Sequence, residues 1–285
     1  MFFVYQTKET SLHTATSPKL DYTHKTQDES HKTYRWWKTL CAIALANMGL
    51  WIWMITTSQS QHSTFYIQAT LSGIYVLVCA FRSFYPRIDL ERYCLHDTPL
   101  SSVALGRSLA TIAEICFSIQ CAIIVYSLSI AIESQLAAFV AYTIVPTIVM
   151  AQLFCWHATL TLNHFWHSLE EMAWVVMLIL TATCFVAGFF YLSSDYMLLM
   201  IIGFISCLAS IWIMLVIDIP MYLSRASEKE HHHSHLSIQN RMHDAIMRRV
   251  QTNDWAIWKQ EVLWLTSYFT VGVWLSIGMI VIEFQ

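Results

Sequence analysis

The chain alternates between long apolar runs and short polar connections, and seven of those runs are long enough to cross a bilayer as a helix, which takes about 20 largely apolar residues. They cover approximately 36–57, 65–84, 104–130, 136–163, 169–192, 196–222 and 254–283. This predicts an all-α, polytopic bundle of seven membrane-spanning helices. No internal repeat or separate soluble unit stands out. Residues 1–34 read as a polar, flexible tail, and 35–285 as one membrane domain carrying a polar loop and amphipathic stretch at 224–252.

Composition agrees. Of 285 residues, 56% are apolar and only 12% charged, far from an ordinary soluble domain. A net charge of -3 and the lack of a basic stripe interleaved with aromatics set nucleic acid aside as a partner. The expected partners are membrane lipids. The N-terminal stretch has no basic start followed by an apolar segment, so no cleaved signal is expected. Of the eight cysteines, seven lie in apolar runs and Cys94 in a connection. With no C-x-x-C pair they read as small packing residues with reduced thiols.

The sixteen Lys and Arg side chains set an expected orientation. Lys8, Lys19, Lys25, Lys32, Arg35 and Lys38 precede or open the first run. Arg82, Arg87, Arg92 and Arg107 surround the second connection, and Arg225, Lys229, Arg241, Arg248, Arg249 and Lys259 surround the sixth. All fall on one side, which the positive-inside rule makes cytoplasmic; the N-terminus is then inside and the C-terminus outside.

One segment does not look like membrane. Between Ala151 and Trp174 lie His157, Asn163, His164, His167, Glu170 and Glu171, and ionisable groups at membrane depth are costly enough to suggest a functional site. On a single helix through 151–167, His157, His164 and His167 would share one face and could hold a metal, with a proton relay as the other use. Ser168 and Glu171 read as a capping box opening the next helix, which gives the two glutamates a structural explanation.

Other polar groups gather at the same depth. Arg107, Thr111, Glu114 and Ser118 form one stripe of the third run. Seven residues separate Arg107 from Glu114, too far for direct contact without a third partner. Asp218 lies near the end of the sixth run, where Pro220 is expected to kink or stop the helix, and Glu261 opens the seventh. The tract His231, His232, His233 and His235 is a loose metal collector or a solvated loop. The following stretch has Met242, Ala245, Ile246 and Val250 on one face and basic residues beside them, as in a helix lying on an anionic membrane surface.

The expectation is a metal-dependent membrane enzyme, a hydrolase or oxidoreductase acting on a lipid or other apolar substrate. His157, His164 and His167 would bind iron or zinc, with Glu114, Glu171, Asp218 and Glu261 as acid–base candidates and Arg107, Asn163 and Glu170 in support. A divalent-metal or proton-coupled transporter is the alternative, and a signalling or scaffold protein the third. H-E-x-x-H, Walker and G-x-S-x-G motifs are absent.

Overall fold

The computed structural model describes residues 19–58, 64–228 and 237–284, with side chains from residue 29 onward. It has seven helices long and apolar enough to cross a membrane: Glu29–Thr57, Phe65–Phe84, Val103–Ala131, Gln135–Thr161, Phe165–Tyr191, Ser194–Ser227 and Val262–Val281. Each run is helical because lipid leaves backbone N–H and C=O groups no partner but each other. Each of the first five spans packs on the one that follows it, and the seventh closes against the first and second. The antiparallel order brings the described Lys and Arg side chains to one end of the bundle, called here the basic end.

The sixth span does not stop at Pro220. It continues to Glu228, and the chain accommodates the proline's missing N–H with a π turn at Met214–Asp218 just before it. A second π turn, Tyr268–Gly272, interrupts the seventh span. Asn47 donates to the Phe269 carbonyl within it at 2.8 Å and accepts from Trp274 Nε1 at 3.0 Å.

Two apolar clusters hold the bundle. One joins the first, second, third and seventh spans around Leu40, Val76, Phe269 and Ile277, and the other joins the third to sixth spans around Leu128, Ile148, Met177 and Met200. The second cluster occupies only the half of those spans away from the basic end. In the remaining half the buried positions mix small residues such as Ala110, Ala151 and Ala158 with Arg107, Glu114, Gln152, His167, Glu170, Glu171 and Asp218. Within the part of the first cluster away from the basic end lies a neutral network, in which Gln120 donates to the carbonyls of Gln68 and Ser276, and Ser276 Oγ reaches Gln120 Oε1 at 2.6 Å and Ser72 Oγ at 3.1 Å.

A small ordered cap covers the basic end. β1 (Arg87–Ile88) pairs antiparallel with β2 (Tyr93–Cys94), which pairs parallel with β3 (Val250–Gln251). The amphipathic stretch forms the helix Ile238–Met247, but it docks on protein rather than lying free on lipid. Ala245 is fully buried, and Ser102 Oγ donates to its carbonyl at 3.4 Å. Arg92, left-handed at φ 61°, donates to Asp244 Oδ2 at 3.0 Å and to the carbonyls of Asp89 and Thr159 at 2.7 and 3.0 Å. One side chain thus ties the cap, the docked helix and the fourth span together. Burial pushes the Arg87 guanidinium down to about 10, against the opposing pull of Asp89 at 3.1 Å. That guanidinium lies so close over Gly106 that a β-carbon there would overlap it, which explains the glycine.

Candidate functional site

The polar half of spans three to six begins with a chain break. The fourth helix ends at Thr161, Leu162 turns left-handed at φ 55° and ψ 32°, and the fifth helix starts at Phe165. The single helix through 151–167 that would align three histidines does not form; His157 is set apart, while His164 and His167 both stack on Tyr222 of the sixth span, ring centres 6.1 and 5.0 Å away. His157 is exposed on the fourth span and packs against Trp166, ring centres 4.2 Å apart and tilted by 54°. His164 sits in the connection, 2% exposed, with Nε2 3.4 Å from Glu91 Oε1. His167, on the fifth span, is buried inside the bundle.

The capping box does not form either. Helix five starts three residues before Ser168, whose hydroxyl donates back to the Phe165 carbonyl at 2.6 Å, and Asn163 Oδ1 instead accepts the Phe165 N–H at 2.9 Å. Asn163 is an exposed turn residue, and neither Glu170 nor Glu171 serves as a cap. Their position follows from helix spacing, because His167, Glu170 and Glu171 at i, i+3 and i+4 share one face, and all three are buried.

Opposite them the fourth span presents Gln152 and Cys155, three residues apart and both buried. Cys155 Sγ lies 3.7 Å from His167 Nδ1, and Glu170 Oε2 lies 2.7 Å from the same nitrogen. Cys155, His167 and Glu170 each offer a ligand atom within 4.8 Å of the other two. Tyr222 of the sixth span covers the imidazole, stacked at 5.0 Å and 25°.

Donors approaching one nitrogen from two directions suit a shared ion better than a relay, in which thiol and carboxylate would sit on opposite ring nitrogens. With metal–sulfur and metal–nitrogen bonds of about 2.3 and 2.0 Å, tetrahedral coordination separates sulfur from nitrogen by about 3.5 Å and nitrogen from oxygen by about 3.3 Å. The observed 3.7 Å matches the first. The 2.7 Å is a hydrogen-bond length, so Glu170 would need to open by about half an ångström.

A bonded wall stands beside this group. Arg107 Nη2 donates directly to Glu114 Oε1 at 2.8 Å, bridging seven residues by laying its side chain along the helix axis, and donates to Gln152 Oε1 at 2.9 Å. Gln152 is the third partner, since its Nε2 donates to Glu114 Oε2 at 2.5 Å. Thr111 Oγ1 donates to Gln152 Oε1 at 3.0 Å, and Tyr268 OH reaches Glu114 Oε1 at 3.4 Å. Ser118, the last member of the predicted stripe, bonds only to the carbonyl of Ile115.

The remaining predicted groups approach from the other spans. Asp218 ends the π turn of the sixth span, 7% exposed, and its Oδ2 takes no hydrogen bond; Glu171 Oε2, on a side chain also nine-tenths buried, takes none either. Glu261 precedes the seventh span with Arg225 Nη2 at 3.9 Å. Burial pushes the Glu261 carboxyl up, and Arg225 pulls it back. Glu171 lies within Coulombic reach of Glu170, Asp218 and Glu114. Of these groups only Cys155, His167 and Glu170 are brought within one ligand-sized cluster, while Glu114, Glu171, Asp218 and Glu261 lie toward the same end of the third, fifth, sixth and seventh spans.

The sequence reading missed Cys155, Gln152 and Tyr222. A thiol inside an apolar run carries no polar signal, but Gln152 three residues earlier marks the face that Cys155 shares. The His231–His235 tract lies outside the described residues. All eight cysteines are free thiols. Comparison of the chain with protein-family models, with curated proteins and with solved structures finds no match in any of the three.

Proposed function

We propose that this chain is a membrane enzyme that holds a zinc-class cation on Cys155, His167 and Glu170 and acts on an apolar substrate drawn from the bilayer. The observation that carries the reading is the convergence of thiol, imidazole and carboxylate within 4.8 Å, all three buried, in the polar half of the bundle. Three protein ligands with a fourth position open is the pattern of catalytic zinc, whereas structural zinc takes four. A mixed sulfur, nitrogen and oxygen set suits zinc better than magnesium or calcium. A cation there supplies Lewis acidity and a water of lowered pKa, so hydrolysis is the favoured reaction class.

The chain's own residues do the rest. Arg107, Glu114 and Gln152 form a fixed wall that holds the Cys155 face of the fourth span against the third. Tyr222 shields the imidazole from lipid. The N-terminus lies in the cytoplasm on this reading, because the basic residues of the described connections gather at the site's end. The transporter alternative is less well supported, since the buried polar groups described beyond the site, Gln68, Ser72, Gln120 and Ser276 among them, are neutral amides and hydroxyls bonded to one another between helices. A metal-free version has one observation in its favour, the 2.7 Å His167–Glu170 pair, which would orient the imidazole as a general base.

Elemental analysis of protein purified in nanodiscs separates these. The expected result is one zinc-class ion per chain, lost in Cys155→Ser and His167→Ala and retained in His157→Ala. Metal-free wild-type protein, or a loss in His157→Ala equal to that in His167→Ala, overturns the metal reading.

A further inference from the structure

The group of Cys155, His167 and Glu170 comes from the fourth and fifth spans, and the sixth supplies no ligand to it. What the sixth span supplies is Tyr222. Met200 and Cys207, seven residues apart and both buried, mark the inward stripe of that span, and the same spacing carried onward would bring Met214 and then Met221 to it. The π turn at Met214–Asp218 adds one residue, which shifts the phase of the helix by about 100° and sets Tyr222 on the stripe in place of Met221.

There the Tyr222 ring stacks with two imidazoles, His167 at 5.0 Å and 25° and His164 at 6.1 Å and 24°, both within the range of offset aromatic pairs. The ring alone makes these contacts, for the Tyr222 hydroxyl bonds to none of the described residues. A histidine that binds a metal is ordinarily held by a hydrogen bond on its other ring nitrogen. His167 lacks that hold: its neighbours Glu170 Oε2, at 2.7 Å, and Cys155 Sγ, at 3.7 Å, both lie at Nδ1, and Nε2 bonds to none of the described residues. The ring laid against its face is what opposes rotation of the imidazole about Cβ–Cγ. His164 fits the same account. It is buried, yet neither of its nitrogens takes a hydrogen bond, Nε2 lying 3.4 Å from Glu91 Oε1. Its face is used instead, nearly parallel to the Tyr222 ring.

We propose that Tyr222, supported by His164, is a positioning residue that holds the His167 imidazole in the plane from which Nδ1 faces Cys155 and Glu170. This rests on the reading of those three residues as a metal centre. Cation affinity then depends on a sixth-span ring that itself binds no metal.

Two measurements on the full chain in nanodiscs test this. Cobalt(II) titration followed by the visible bands reads affinity and coordination geometry. Tyr222→Leu should bind about tenfold more weakly with shifted bands. Tyr222→Phe should match wild type, since it keeps the ring and loses only the unbonded hydroxyl. His164→Leu should weaken binding and His164→Phe restore it. In metal-free protein labelled with carbon-13 histidine, the His167 ring signals, identified by their loss in His167→Gln, should move in Tyr222→Leu and stay in Tyr222→Phe. Wild-type affinity and bands in Tyr222→Leu, an equal loss in Tyr222→Phe, or His167 signals unmoved by Tyr222→Leu overturns the proposal. Should Tyr222→Leu not fold, the His164 pair decides, and wild-type affinity in His164→Leu overturns it. Wild-type protein that takes up no cobalt while its His167 signals respond to Tyr222 overturns the metal reading and leaves the positioning role standing. Cobalt binding indifferent to Tyr222 does the reverse.

Discussion

Glu114→Gln keeps the shape of the side chain and removes its charge, and it tests the bonded wall directly. Glu114 accepts from Arg107 at 2.8 Å, from Gln152 at 2.5 Å and from Tyr268 at 3.4 Å, while Arg107 is 6% exposed. The substitution leaves a buried guanidinium with neutral neighbours, and breaking a buried pair by removing one partner costs about 3–5 kcal/mol. Arg107→Gln strands the carboxylate instead and should cost a similar amount. In the double variant neither charge is stranded, so the two losses should not add. The double should cost about as much as either single, a coupling of about 3 kcal/mol. Reversible unfolding in mixed micelles of a mild detergent and dodecyl sulfate, followed by tryptophan fluorescence, measures all four corners of the cycle. Additive losses, with coupling below about 0.5 kcal/mol as for independent sites, would refute the direct contact and with it the placement of the fourth span against the third.

Three further outcomes are expected. Arg92→Met removes the tie between the cap, the helix Ile238–Met247 and the Thr159 carbonyl, so limited proteolysis should cut within 237–253 many times faster than in wild type while the spans stay intact. His96 packs against Trp37, ring centres 4.8 Å apart, and burial holds its imidazole below the ordinary value. The unfolded chain therefore binds more protons than the folded one just below about pH 6.5, so stability rises with pH through that window and is lost on acidification; thermal midpoints of wild type should fall more between neutral and mildly acidic pH than those of His96→Asn. Leu162 holds a left-handed conformation that costs a branched side chain about 1 kcal/mol, so Leu162→Gly should keep or raise the thermal midpoint and Leu162→Val should lower it.

The seven spans were legible because each is written in one run of chain, and hydropathy alone sets where lipid can be met. The segment that holds the candidate cluster also stood out, because His167 and Glu170 are polar in an apolar context. What could not be read was the partnering between helices. Only Asn163 hints at the break, for the left-handed turn itself is made by a leucine in place of the usual glycine, and without the break His157 and His167 look like neighbours. Cys155 has the hydropathy of the residues around it, and only the rotation of the fourth helix turns it toward His167. The Met242–Val250 pattern has one apolar face, and such a face fits a protein surface as well as a lipid one; the choice depends on Arg92, 152 residues from Asp244 in sequence.

Cobalt substitution tests the proposed centre most directly. Wild-type protein stripped of metal and reloaded with cobalt(II) should show the intense near-ultraviolet charge-transfer band of a thiolate–cobalt bond together with the visible bands of tetrahedral coordination. Cys155→Ser should lose the first and keep its fold. A folded wild-type protein that shows neither band, or a thiolate band that survives in Cys155→Ser, would contradict a metal centre built on Cys155, His167 and Glu170.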